Sequence, residues 1–113
     1  MSNMESYVVQ EMKQWIDELY SQIDSIDSKI DEKRKLSKIL EVKRDVILRA
    51  VEKFSIDTNR KTAYLNKYLK PIQSELDLYY QKFELQEMVE LLNERNELLC
   101  QVQTAEELIK INS

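Results

Sequence analysis

From Met12 the apolar residues recur as Met12, Ile16, Leu19, Ile23, Ile26 and Ile30, in steps of four and three that put all six on one stripe of a helix. This is a near-ideal heptad seam. The charged run Asp31-Glu32-Lys33-Arg34-Lys35 interrupts it. Leu36, Leu40, Ile47, Ala50 and Phe54 then resume a similar rhythm, with Ile39, Val42, Val46 and Val51 widening the face. The interruption predicts either a stutter or a short break at 31–36. No Gly, Pro or good capping signal sits there, so a continuous helix is the expectation.

The clearest break is Ser55-Ile56-Asp57-Thr58-Asn59, where side chains suited to starting a helix cluster and Asp57 or Thr58 is the predicted N-cap. Beyond it Leu65, Leu69, Ile72, Leu76, Tyr79 and Phe83 keep the spacing. Met88, Leu91, Leu98, Val102, Ala105 and Ile109 carry a stripe to the end. The pattern passes through Pro71, which lacks an N–H and clashes with the preceding turn. A kink there is expected, or a helix restart with Pro71 in its first turn.

With the break near the midpoint, the pattern predicts an all-α, elongated antiparallel hairpin with arms at about 4–54 and 59–110, each ~75 Å long at 1.5 Å per residue. A three-helix bundle replaces it if 31–36 turns. In either case residues 1–113 form a single helical domain. A bare hairpin buries one seam, so its second apolar flank (Ile39, Val46, Leu85, Val89, Leu92, Leu99) is expected to seek another chain or a second copy.

Composition sharpens this and removes most chemistry. Of 113 residues, 34% are charged and none is glycine or histidine, with one proline and one cysteine. A sheet protein would need several tight turns built on Gly, Asn-Gly or Pro, and this chain has no glycine and a single proline. Without His, and with only Cys100, the usual zinc, haem and copper sites cannot form within one chain, nor can a nucleophile and imidazole pair. A phosphate-cradling loop needs glycines. No catalysis and no cofactor are therefore expected. Cys100 follows Leu98 and Leu99 and reads as a small core residue. Met1 to Ser6 has neither a basic start nor an apolar run, no segment approaches the roughly 20 apolar residues of a membrane span, and one thiol suits a reducing, cytoplasmic setting.

Charge is segregated along the chain. Residues 1–28 carry one basic and six acidic groups, residues 29–70 carry 13 and six, and residues 71–113 carry three and nine. In a hairpin both acidic segments would lie at the end holding the termini and the basic one at the loop end, a field able to steer association. Glu87, Glu90, Glu94 and Glu97, spaced three, four, three, form one carboxylate row, read as a docking face for a basic surface or as a solvated face. The basic stretch includes Lys33, Arg34, Lys38, Arg44, Arg60, Lys61 and Lys67, with Tyr64 and Tyr68 interleaved, a pattern compatible with RNA or anionic-membrane contact. A net charge of −4 makes nucleic acid the weaker reading. Tyr64, Tyr68, Tyr79 and Tyr80 are expected to pack at helix contacts with hydroxyls facing water. Trp15, with Tyr7 and Tyr20, reads as a half-buried anchor or an interface hot spot. Arg95 and Asn96 fall on or beside the apolar stripes, either inside a seam or at its edge.

Residues 85–99, Leu-Gln-Glu-Met-Val-Glu-Leu-Leu-Asn-Glu-Arg-Asn-Glu-Leu-Leu, resemble the last helix of the bMERB domain, the three-helix module of MICAL and EHBP proteins. That helix typically reads Leu-x-Glu-Leu-Val-x-Leu, then Arg-Asn and further apolar residues. Glu87, Val89, Leu91, Arg95 and Asn96 fall in the corresponding places. The likeness spans about 25 of the 113 residues, without the family's glycine after the first helix or its second-helix tryptophan motif. It implies binding of a Rab-type GTPase in its GTP state.

The expected function is a non-catalytic helical interaction module or a small coiled-coil subunit of a larger assembly. Its partner-binding candidates are Glu87, Val89, Glu90, Leu92, Glu94, Asn96, Glu97 and Leu99.

Overall fold

The computed structural model describes residues 4–53 and 57–112, and among them every regular element is helical. Helix α1 spans Ser6–Val51 and α2 spans Thr58–Tyr64. A π-helical turn at Leu65–Leu69 leads into α3, Lys70–Leu78. A second π-helical segment, Tyr79–Glu87, leads into α4, Met88–Ile111. Phe54, Ser55 and Ile56, on which part of the predicted midpoint break and the end of the first stripe fall, lie outside the described residues. No described residue has positive φ, in keeping with a chain that has no glycine.

Helix α1 runs unbroken through 31–36, and the pattern there needs no stutter. Counting on from Ile30 in steps of three and four reaches Lys33, Ser37, Leu40, Arg44, Ile47 and Val51. Of these Ser37, Leu40 and Val51 are buried, and Arg44 and Ile47 are half-buried. Of the expected continuation Leu36, Leu40, Ile47 and Ala50, Leu36 is corrected: it is 49% exposed, while Leu40 is buried and Ile47 and Ala50 are half-buried. Ile39, Val42 and Val46, at 52, 53 and 61%, lie open on the outward side. The seam keeps its heptad period but substitutes polar residues for apolar ones, which is why tracking hydrophobicity left it. Ser37 sits in this seam because its hydroxyl donates back to the Arg34 carbonyl at 2.9 Å and leaves no orphaned polar atom.

Asp57 is the N-cap of α2. Its backbone is extended and its carboxylate accepts from the Arg60 N–H at 2.7 Å, satisfying one of the donors that a helix start leaves over. Pro71 falls in the first turn of α3. The helical run does not stop there, because the preceding π turn absorbs the proline: the Lys70 N–H reaches the Leu65 carbonyl, five residues back. Likewise the Met88 N–H reaches the Phe83 carbonyl at the end of the second π segment. Each π segment widens the helix and places about one extra residue in a turn. The burial pattern records this at the second segment, where the buried Phe83 and Met88 are five apart; at the first, Tyr64 and Leu65 are both half-buried, five and four residues before Leu69.

The chain packs as two compact units, residues 4–30 with 89–112 and residues 31–53 with 57–88. In the first, Ile16, Leu19, Ile23, Ile26 and Ile30 of α1 are buried together with Leu98, Val102 and Ala105 of α4. Tyr20 meets Glu106 and Asp27 meets Arg95, so the two segments run antiparallel. In the second, Ser37, Leu40 and Val51 of α1 are buried with Leu76, Phe83 and Met88. Pairings of Arg34 with Met88, Glu41 with Tyr80 and Ile47 with Tyr64 again run antiparallel.

Candidate interaction surfaces

The C-terminal candidates divide between two faces of α4 and its approach. Val89 and Leu92 are exposed at 50 and 45%, Asn96 is exposed and Leu99 half-buried. Glu87, Glu90, Glu94 and Glu97 are all exposed. At 100° per residue the carboxylates of α4 lie roughly 150° around the helix from the Val89, Leu92, Asn96 and Leu99 stripe. One partner helix therefore cannot cover both, although the spacing had grouped them.

Arg95 occupies a seam position of α4 and turns outward to form a two-point contact with Asp27, Nε to Oδ1 at 2.7 Å and Nη2 to Oδ2 at 3.4 Å. This contact is the main reason its pKa is raised. Both side chains keep substantial solvent contact, so water screens the pair and it adds little to stability. Asn96, next to it, is exposed. Cys100 is exposed as well, correcting its assignment to the core: Leu98 takes the buried place and Cys100 falls on the outer face.

The basic candidates do not gather into one patch. Lys33 and Arg34 face the second π segment and its end, the Lys33 ammonium lying 5.9 Å from the Phe83 ring centre and Arg34 Nη2 lying 3.4 Å from Met88 Sδ. Lys38 is exposed with its ammonium 4.0 Å from Glu41, and Arg44 is half-buried beside Asp45. Arg60 and Lys67 are exposed and Lys61 half-buried in α2 and the first π turn. Tyr64 of α2 bonds to Ile47, 14 residues along α1 from Lys33, or about 21 Å at helical rise.

The tyrosine hydroxyls correct another expectation. Tyr64 donates to the Ile47 carbonyl at 3.1 Å and Tyr80 to Glu41 Oε1 at 2.5 Å, rather than both facing water. Their rings pack within the chain, Tyr64 on Tyr68 at 5.1 Å and Tyr79 on Phe83 at 5.3 Å. The carboxylate beside Tyr80 holds its phenol above the ordinary tyrosine pKa, chiefly through that hydrogen bond. Tyr20 is raised for the same reason by Glu106.

Two concave surfaces carry apolar linings. One, of about 240 Å³, is lined by Leu36, Leu40, Leu78, Tyr79 and Phe83, with Lys33, Glu75, Lys82 and Glu87 supplying charge. The other, of about 380 Å³, involves Met12, Trp15, Cys100, Thr104, Ala105 and Leu108. Trp15 is 40% exposed, so it is half open to a partner rather than enclosed. Leu36 and Leu78 were not singled out as contact residues from the pattern. Counting the heptad through Lys33 instead of following the next leucine would have put Leu36 outside the seam. Among the described residues no group of acidic or thiol side chains could hold a metal ion, and no helix is long and apolar enough to cross a membrane. No protein-family model, curated protein or solved structure matches this chain.

Proposed function

We propose that this chain folds as an antiparallel helical hairpin and acts as a non-catalytic interaction module or small subunit of a coiled-coil assembly. The observation that carries this reading is the set of large aliphatic side chains left open after each unit has buried its seam: Leu36, Ile39, Val42 and Val46 on α1, Leu78 and Leu85 in the following helical run, and Val89 and Leu92 on α4. Exposed aliphatics repeated at helical spacing are the currency of helix-on-helix recognition, and an isolated pair of helices has little other means of covering them.

A second reading, a Rab-type GTPase effector, rests on the resemblance at residues 85–109. It is favoured by the exposure of Glu87, Val89 and Asn96, three of the five residues that carry the likeness. Arg95, a fourth, is engaged by Asp27.

Affinity capture on the immobilised full chain, run with a non-hydrolysable GTP analogue and with GDP, separates the two. A helical partner enriched equally in both arms is the expected result. Enrichment of a Rab-type GTPase only with the GTP analogue would favour the effector reading. Glu90→Lys with Glu94→Lys should leave the far-UV spectrum unchanged and weaken whichever partner uses the carboxylate row. Unaltered capture would reduce that row to solvated surface.

A further inference from the structure

We propose that the outward stripe Leu36, Ile39, Val42 and Val46 of α1 docks an amphipathic helix of a partner protein whose apolar face is bordered by carboxylates. This deepens the interaction-module reading and rests on it. The four residues recur in steps of three, three and four, so they share one face of a continuous helix, and each is about half or more exposed. All are aliphatic and three are β-branched, the side chains that fill the holes of a facing helix with least loss of rotamer freedom. Leu36 also lines the groove with Leu40, Leu78 and Phe83, so the stripe continues into a concavity able to take an apolar anchor.

Charge decides the occupant. Residues 31–49 carry seven basic and four acidic groups. Three of the acids are already engaged within the chain: Asp31 by Lys35 at 2.9 Å, and Glu41 and Asp45 by Lys38 and Arg44 at 4.0 Å. Lys43 and Arg49 are exposed and form no ion pair among the described residues. With Glu32 the one acid of the segment left without an ion pair among the described residues, the charge bordering the stripe is net positive, and a facing helix with flanking carboxylates answers it. A second copy of this stripe would set the same cations against one another. A lipid surface fits less well, because the stripe holds no aromatic residue and Glu32 lies in line with it one turn before Leu36.

The test uses the full chain and a labelled three-heptad peptide with Leu at the a and d positions and Glu at e and g, beside a twin carrying Lys at e and g. The Glu peptide should bind, the Lys twin should not, and added salt should weaken the binding. Ile39→Asp with Val46→Asp should lower affinity about tenfold or more, the loss expected at the centre of an interface. The far-UV spectrum should not change, since both side chains are exposed. Lys43→Glu with Arg49→Glu should weaken the Glu peptide and admit the Lys twin, a gain that misfolding would not produce. Failure of the Glu peptide to bind, or equal binding of the twins, overturns the proposal. So does binding of phosphatidylcholine–phosphatidylserine vesicles in its place, or a fall in self-association caused by Ile39→Asp with Val46→Asp in the absence of peptide. If capture of a helical partner survives that double substitution, the interaction-module reading stands and this stripe loses its role. If capture also fails with the unaltered chain, both fall.

Discussion

In the unit of residues 4–30 and 89–112, every seam position of α1 from Ile16 to Ile30 is a buried aliphatic, and the facing α4 is an α-helix that keeps to three- and four-residue steps. In the unit of residues 31–53 and 57–88, the same α1 offers Lys33, Ser37 and Arg44 at equivalent positions, and the facing run passes through two π segments and relies on Tyr79, Tyr80 and Phe83. A regular seam needs no irregular partner: aliphatic knobs at constant period find holes at constant period. Where the seam carries smaller or charged residues, the opposing helix must bring bulkier side chains and shift its register to keep them inward. The π turns provide that shift, at the expense of the well-aligned hydrogen bonding of an α-helix. Both units leave aliphatics exposed, Leu36, Ile39, Val42, Val46 and Leu78 in the second and Val89, Leu92 and Leu108 in the first, so available surface does not depend on irregular packing.

The contrast is broken most severely by charge in the seam. Leu19→Asp or Ile23→Asp should destabilise the chain by about 3 kcal/mol or more, because each places an uncompensated carboxylate among buried aliphatics. Lys33→Asp, at an equivalent but exposed position, should leave the melt nearly unchanged. Equal melts for the two substitutions, followed by circular dichroism, would show that the seams do not differ.

Within the second unit Leu76 is fully buried, and Leu76→Ala should cost about 2–5 kcal/mol in a urea titration, as expected for a truncated core leucine. A loss below 1 kcal/mol would mean that this unit is loosely packed around its π segments.

Deleting Gln86 should sharpen the register argument. Removal of one residue between Phe83 and Met88 converts their five-residue step into a four-residue one, so an α-helix can then bury both. The expected result is undiminished helicity and a Tm no lower than that of the parent. Collapse of the melt would show that the π geometry is needed for more than register.

The smallest effect lies at alkaline pH. The Tyr80 phenol is held above its ordinary value by Glu41, so the protonated form is favoured in the folded chain. The corresponding stability is fully present below the unfolded tyrosine pKa of about 10 and is lost as pH rises through the folded value. Tm should therefore fall more steeply above about pH 10 in the parent than in Tyr80→Phe. Parallel curves would remove this contact from the balance.

Much of this could be read from the chain. The all-α class, the α1 seam from Met12 to Ile30, the continuity of 31–36, the Asp57 cap and the α4 stripe follow from local rules of period, capping and the lack of turn residues. What was missed has a common cause. Hydrophobicity alone draws Leu36 into the seam and leaves Ser37 out. The leucines before Cys100 place it in the core by pattern alone, and the four-three spacing that ends at Phe83 gives no account of the five-residue step to Met88. The candidate contact residues were legible as types and spacings only, and the division of α4 between a carboxylate face and an apolar face emerges once the buried stripe is known.

The sequence by itself determined that the chain is helical, where its first seam runs and that more aliphatic surface exists than one seam can bury, since these depend on residues within a few positions of one another. Only the tertiary structure decided which stripe of α1 is covered between residues 31 and 51, where the facing run departs from α geometry, and which tyrosines spend their hydroxyls on Ile47, Glu41 and Glu106. Those choices depend on the volume and polarity a distant segment presents. A helix has no means of selecting among its possible faces until another helix is packed against it.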